Sequence, residues 1–210
     1  MSEMATWRDD ASRTFYFLKG YASAKELYNT QKALILAKTL HEGQYRKGGA
    51  EYLVHPLRVC DFLTALKFDD DVLLSAALLH DVLEDVESVR NDPQQLVTEY
   101  GLSVEVLDLI HKLTKRKDIP MEVYYKGISE DWRALFIKLS DRSNNVSTLD
   151  CFTPEKMKAY IEETKNYVLP LCGYAKLHYP QYGHEITVMK YHITALCSTL
   201  ERPFTLGEQK

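Results

Sequence analysis

The sequence predicts an all-α protein, and three observations carry that prediction. Apolar residues recur at helical spacing along almost the whole chain. Alternating apolar and polar runs, the mark of half-buried strands, are scarce. Prolines and glycines stand where helix ends need them. Asp92-Pro93 and Thr153-Pro154-Glu155 each place a capping oxygen before a proline, which loses no hydrogen bond in the first helical position. Gly101 suits the left-handed residue that closes a helix.

In chain order, helices are expected near 6–18, 22–40, 55–67, 69–86, 93–100, 103–115, 119–128, 131–149, 154–169 and 181–201. The third follows His55-Pro56 and carries the apolar run LRVCDFLTAL. The fourth, through VLLSAALLHDVLEDV, is almost wholly apolar until its end. The fifth starts at Pro93 and ends at Gly101, after which the periodic pattern resumes to about Lys115. The ninth starts at Pro154, and the last has Tyr182, Ile186, Met189, Ile193, Leu196 and Leu200 on one stripe, expected to pack in the core. Between helices two and three, HEGQYRKGGAE concentrates charge and three glycines, so residues 41–51 should form a surface loop.

The 210 residues, 45% hydrophobic and 27% charged, suffice for a sizeable core and exclude a disordered chain, a collagen-like repeat or a coiled-coil rod. One domain over 1–210 is expected, with a chemistry-bearing core at about 31–150 and further helices over 151–201. A net charge of −4 argues against broad nucleic-acid binding, which needs a basic surface to displace counterions. The four cysteines form no CxxC pair, so reduced thiols are expected. No secretory leader, membrane span or membrane partner is expected, and the cytoplasm is the simplest location.

The densest chemical signal is at the end of the fourth helix. There His80, Asp81, Glu84 and Asp85 would lie at about 0°, 100°, 40° and 140° on one arc. Clustered carboxylates on a buried helix repel one another unless a cation neutralises them. The competing reading is an acidic helix end running into solvent, although negative charge there opposes the helix dipole. Asp141 also follows an apolar run, with Asn145 and Thr148 further along its face. His55 is a third candidate. Two imidazoles and two carboxylates, from His55, His80, Asp81 and Asp141, would suit Mn²⁺, Fe²⁺ or Zn²⁺ better than Mg²⁺.

These residues, in the order H…HD…D, resemble the HD superfamily of metal-dependent phosphohydrolases. HEGQYRKGGAEYLVHP, HDVLED and KLSDRSNN are similar to successive motifs of the hydrolase domain in RelA/SpoT-homologue alarmone enzymes. The resemblance implies an HD-domain helical bundle of about ten helices and a stand-alone small alarmone hydrolase, since only about 60 residues follow Cys151. It further implies one Mn²⁺ per chain on His55, His80, Asp81 and Asp141. Glu84 and Asp85 would act on the attacking water. Arg46 and Lys47 would meet base and phosphate, and Asn145 and Thr148 the sugar region. His41 is expected as a loop brace and Tyr52 as packing beneath the loop. The loop departs from the family's RKSG in reading Arg46-Lys47-Gly48-Gly49, which removes one hydroxyl.

The implied reaction is hydrolysis of the 3′-pyrophosphate of (p)ppGpp to GDP or GTP and pyrophosphate, with possible functional pairing to an alarmone synthetase. The same site could instead act on (p)ppApp or on the 2′-phosphate of NADPH, as product identity would tell. A non-catalytic nucleotide-binding regulator is the third reading, against which the intact Glu84 and Asp85 argue. His111, His178, His184 and His192 have no convergent partners in sequence. The basic run Lys112, Lys115, Arg116 and Lys117 is read either as a polyphosphate attractant or as a solvated helix end.

Overall fold

The computed structural model describes residues 11–207, so the start of the helix expected at 6–18 lies outside the described residues. Thirteen α-helices and no strand occur among them, in agreement with the all-α prediction; ten of the helices are nine residues or longer. A lone antiparallel bridge joins Tyr45 to Glu51. The chain divides into two compact units, one ending at Asp118 and the other beginning at Ile119.

The first unit contains α1 (Ala11–Ala24), α2 (Tyr28–Leu40), α3 (Val54–Ala65), α4 (Asp71–Leu79), α5 (Val82–Asp85), α6 (Glu87–Asn91), α7 (Gln95–Thr98) and α8 (Val104–Leu113). Its centre is α4, in which every residue from Leu73 to Leu79 is buried. Helices α2, α3 and α8 pack against it. Ser75, the one hydroxyl in this run, donates to the Asp71 carbonyl at 2.5 Å, so its burial leaves no orphaned donor.

Asp71 fastens this arrangement. Its carboxylate accepts from the backbone amides of Asn29 at 2.9 Å and Thr30 at 2.8 Å, and from the Thr30 hydroxyl at 2.8 Å. A residue in the first turn of α4 thus satisfies the amides that α2 leaves open at its own start. Asn29 extends the lock, its side-chain oxygen accepting from the Ser103 amide at 2.9 Å just ahead of α8.

The structure corrects the expected continuous helix over 69–86: α4 ends at Leu79 and α5 begins at Val82. The reason is local. In an unbroken helix the Ala77 carbonyl would receive the Asp81 amide, but His80 Nδ1 donates to it at 2.8 Å. The Asp81 carbonyl then accepts from both Glu84 and Asp85 amides at 2.9 Å and starts a new turn. The helix expected from Pro93 is also shorter: Pro93 stands in a turn, α7 starts at Gln95, and α6 was not expected. Gly101 has φ +67 and closes that region as the sequence implied.

The second unit contains α9 (Met121–Ser129), α10 (Trp132–Val146), α11 (Pro154–Glu163), α12 (Leu169–His178) and α13 (Gly183–Gly207). Thr153 caps α11 by accepting from the Lys156 amide, as its position before Pro154 implied. The chain then stays helical beyond residue 169, where the expected helix ended. A π-helical turn over Thr164–Val168 leads into α12, and Pro170 is tolerated because it falls in the first turn. On α13, Ile186, Met189 and Ile193 are fully buried, so the apolar stripe is core, with its far end only half-buried at Leu196 and Leu200.

Beside Asp141 on α10, the buried Arg142 donates to Glu163 at 2.6 Å, Tyr125 at 3.0 Å and Thr164 at 3.2 Å, and lies over the Tyr160 ring. These bonds tie α10 to α9, to α11 and to the π turn.

Replacing Asp71 by Ala should lower the unfolding free energy by about 1–3 kcal/mol, since two part-buried amides lose a charged acceptor. Urea denaturation followed by circular dichroism measures this.

Candidate metal centre

Three side chains of the first unit converge where α4 breaks. His55 stands in the first turn of α3 and is 2% exposed; His80, at the end of α4, is 5% exposed. Their Nε2 atoms face each other at 3.2 Å. Asp81 reaches both, with one carboxylate oxygen 3.4 Å from His55 Nε2 and the other 3.3 Å from His80 Nε2.

The tautomer of His80 follows from its surroundings. A carbonyl oxygen can only accept, so Nδ1 is the nitrogen that donates to Ala77, and Nε2 of the neutral ring presents its lone pair to His55 and Asp81. A metal-binding imidazole is ordinarily held in this way, by a hydrogen bond from its remote nitrogen. Two buried imidazole nitrogens with a carboxylate alongside fit a divalent transition cation.

Asp141 lies on α10 in the second unit and is 5% exposed. Lys138 donates to one of its oxygens at 3.0 Å and the Asn145 amide to the other at 2.5 Å. Burial works against the Lys138 charge, yet the Asp141 carboxylate holds the ammonium pKa well above its ordinary value, so Lys138 stays charged. His55 and His80 each offer a ring nitrogen to a His/Asp group of the kind that can hold a metal ion.

Both acidic residues of α5 are exposed, and they are held differently. Glu84 accepts from the Lys115 amide at 2.7 Å, just after α8. Asp85 accepts from the Tyr52 hydroxyl at 2.5 Å, and that hydroxyl also lies 2.6 Å from Asp81. Tyr52 therefore does more than pack beneath the loop, a role the motif spacing did not reveal. Burial raises its pKa far above the ordinary phenol value and Asp81 raises it further, so the hydroxyl remains a donor at any working pH.

The loop over 41–51 is irregular, as expected, and is pinned at both ends. His41 is the brace the sequence suggested: it is buried, bonds to the Gln44 side chain at 2.8 Å and stacks on Tyr52. Burial lowers its imidazole pKa. The Arg46 amide donates to Ala50 and the Gly49 amide to Arg46, forming a tight turn. Gly49 has φ +84, which is why the second glycine is needed there. Arg46 lies 5.8 Å from the Tyr52 ring and Lys47 is exposed.

On α10 the Asn145 amide is directed at Asp141, and the Thr148 hydroxyl bonds to the Asn144 and Asn145 carbonyls. His192, which had no partner in the sequence reading, hydrogen-bonds through Nδ1 to the buried Ser143 hydroxyl. Only the fold could bring together two residues so distant in the chain. In the basic run, Arg116 pairs with Asp118 at 2.7 Å. All four cysteines are free thiols. Among the described residues no helix is long and apolar enough to cross a membrane.

Titration calorimetry with a divalent transition cation should show binding by the native chain and its loss in His80→Ala. Saturation at about a hundredfold over Kd should stabilise the native chain by roughly 2.7 kcal/mol and leave the variant unmoved. Equal stabilisation of both proteins would exclude His80 as an essential ligand.

A family model described as HD domain matches residues 33–172. The bifunctional (p)ppGpp synthase/hydrolase SpoT of Escherichia coli is 33% identical over 171 residues, which are 77% of this chain and 24% of that protein. The guanosine-3′,5′-bis(diphosphate) 3′-pyrophosphohydrolase of Haemophilus influenzae is 36% identical over 146 residues, covering 65% and 21%. The chain spans about a quarter of the length of the curated relatives it matches. A solved structure, described as a metazoan ortholog of SpoT that hydrolyses ppGpp, shares the fold with a TM-score of 0.60. It is 22% identical, covering 83% of this chain and 94% of that one.

Proposed function

The chain belongs to the HD domain family, and we propose that it is a Mn²⁺-dependent hydrolase of the 3′-pyrophosphate of guanosine alarmones. The observation that carries this reading is the convergence of His55, His80 and Asp81, with Asp85 joined to Asp81 through one hydroxyl. Similarity to (p)ppGpp hydrolases supports the choice of substrate. The family match runs through residue 118, where the two compact units meet in sequence, which supports a single hydrolase domain built from both.

His55, His80, Asp81 and Asp141 would hold the ion. When bound, a divalent cation lowers the pKa of water, polarises phosphoryl oxygens and neutralises developing charge. The chain's own groups do the rest. Asp85, an exposed carboxylate braced by Tyr52, takes a proton from the attacking water, and Glu84 holds that water in line. The water oxygen bonds to the phosphorus attached to the 3′ oxygen. The bond between them breaks, pyrophosphate leaves, and the sugar keeps a 3′-hydroxyl after taking up a proton. Arg46 stacks on the base and Lys47 meets phosphate, a division that suits a planar guanidinium and a mobile ammonium. Asn145 and Thr148 face the sugar; the Asn145 amide also holds Asp141, so its loss would disturb the ion as well.

Purified protein with ppGpp and Mn²⁺ should release GDP and pyrophosphate, and a chelator should stop the release. Products are resolved by anion-exchange chromatography. Cleavage of NADPH to NADH and phosphate, or of ppApp, with ppGpp left intact, would reassign the substrate. No cleavage by the folded, metal-loaded chain would leave a nucleotide-binding role.

Glu84→Ala and Asp85→Ala should each lower kcat by roughly 10²–10⁴-fold, the range of a lost general base, with metal binding retained. Unchanged turnover in both variants would remove the pair from the reaction.

A further inference from the structure

Tyr52 takes no part in the bond changes outlined above, yet it stands at the junction of the loop and the carboxylates. It directly precedes the short turn into α3, and its amide donates to the Gln44 carbonyl at 2.9 Å, closing the loop that carries Arg46 and Lys47. Its ring is stacked on the buried His41 at 4.6 Å and set edge-on to His55 at 6.1 Å. Its hydroxyl touches Asp81 at 2.6 Å and Asp85 at 2.5 Å. Gln44 adds a second strut from the same loop, its side-chain amide donating to the Asp85 carbonyl at 3.3 Å while its oxygen bonds to His41.

Two carboxylates four residues apart on one short turn repel each other. The hydroxyl between them has a single proton to give, to Asp85 or to Asp81, and its oxygen lies within hydrogen-bond reach of both. Packing against His41 and His55 prevents that oxygen from moving without the loop. We propose that Tyr52 is a positioning residue whose hydroxyl sets Asp81 for the metal and Asp85 for the attacking water, and ties both to the Arg46–Lys47 loop. This inference rests on the hydrolase reading for Asp85 and on the metal site for Asp81.

Tyr52→Phe keeps the ring and its stacking and removes only the hydroxyl. Isothermal titration with Mn²⁺ alone reads the Asp81 half, independently of turnover. The expected result is a roughly 10–100-fold rise in Kd, as for other groups that orient a metal ligand. A Kd within twofold of the native value overturns the proposal.

The Asp85 half is read from ppGpp turnover at saturating Mn²⁺ in Tyr52→Phe, Asp85→Asn and the double variant. Tyr52→Phe should lower kcat roughly tenfold or more with KM changed less than threefold. The double variant should be no slower than Asp85→Asn alone, because a residue acting through Asp85 has nothing left to position. Losses that multiply in the double variant overturn the proposal, since a general weakening of the fold would act independently of Asp85. If the native chain leaves ppGpp intact, the hydrolase reading fails by itself, and the Mn²⁺ titration still decides whether Tyr52 positions Asp81.

Discussion

The hydrogen bond from His80 to the Ala77 carbonyl is the constraint on which the site depends. It has two consequences at once. It fixes the tautomer, so the ring nitrogen facing His55 carries a lone pair. It also competes for the carbonyl that would have continued α4, so the helix stops and restarts one turn later with Asp81 at the joint. A straight helix would have spread His80, Asp81, Glu84 and Asp85 over one arc. The break turns Asp81 back toward both imidazoles and brings Asp85 to Tyr52.

Such a bond is dependable only where water cannot replace it. α4 meets that condition because its residues from Leu73 onward are buried beneath α2, α3 and α8. Those helices stay in place partly through polar contacts at the opposite end of α4, where Asp71 caps α2 and Asn29 holds the chain before α8. The far end of the helix is thus fastened by one carboxylate so that the near end can present a histidine. In the second unit the same problem has another solution. The buried Asp141 accepts from Lys138 and Asn145, while its neighbour Arg142 binds α10 to the surrounding helices through Glu163, Tyr125 and Thr164.

Tyr52 joins the loop to the carboxylates over a short distance. The turn that displays Arg46 and Lys47 closes on Tyr52 through the backbone, and the side chain of the same residue reaches the carboxylates. Gly49, with its positive φ, lets that turn be tight enough for the closure. The missing serine hydroxyl at Gly48 changes what the loop can offer a ligand without requiring any change in this framework.

Much of this was legible in the sequence. Helical periodicity, Pro154 and Gly101 announced an all-α chain, because these signals depend on backbone geometry within a few residues, whereas Pro93 fell in a turn. His55 and His80 were recognisable as donors because an imidazole has few other uses in apolar surroundings, and the structure sets Asp81 beside both. What the sequence could not decide were features set by partners far along the chain or by competition for one carbonyl. The break at His80, the helix continuing past residue 169 through Pro170, the pairing of Ser143 with His192 and the reach of Tyr52 to Asp85 belong to this class. Each turns on where a polar atom finds its hydrogen-bond partner, and folding alone settles that by burying the alternatives.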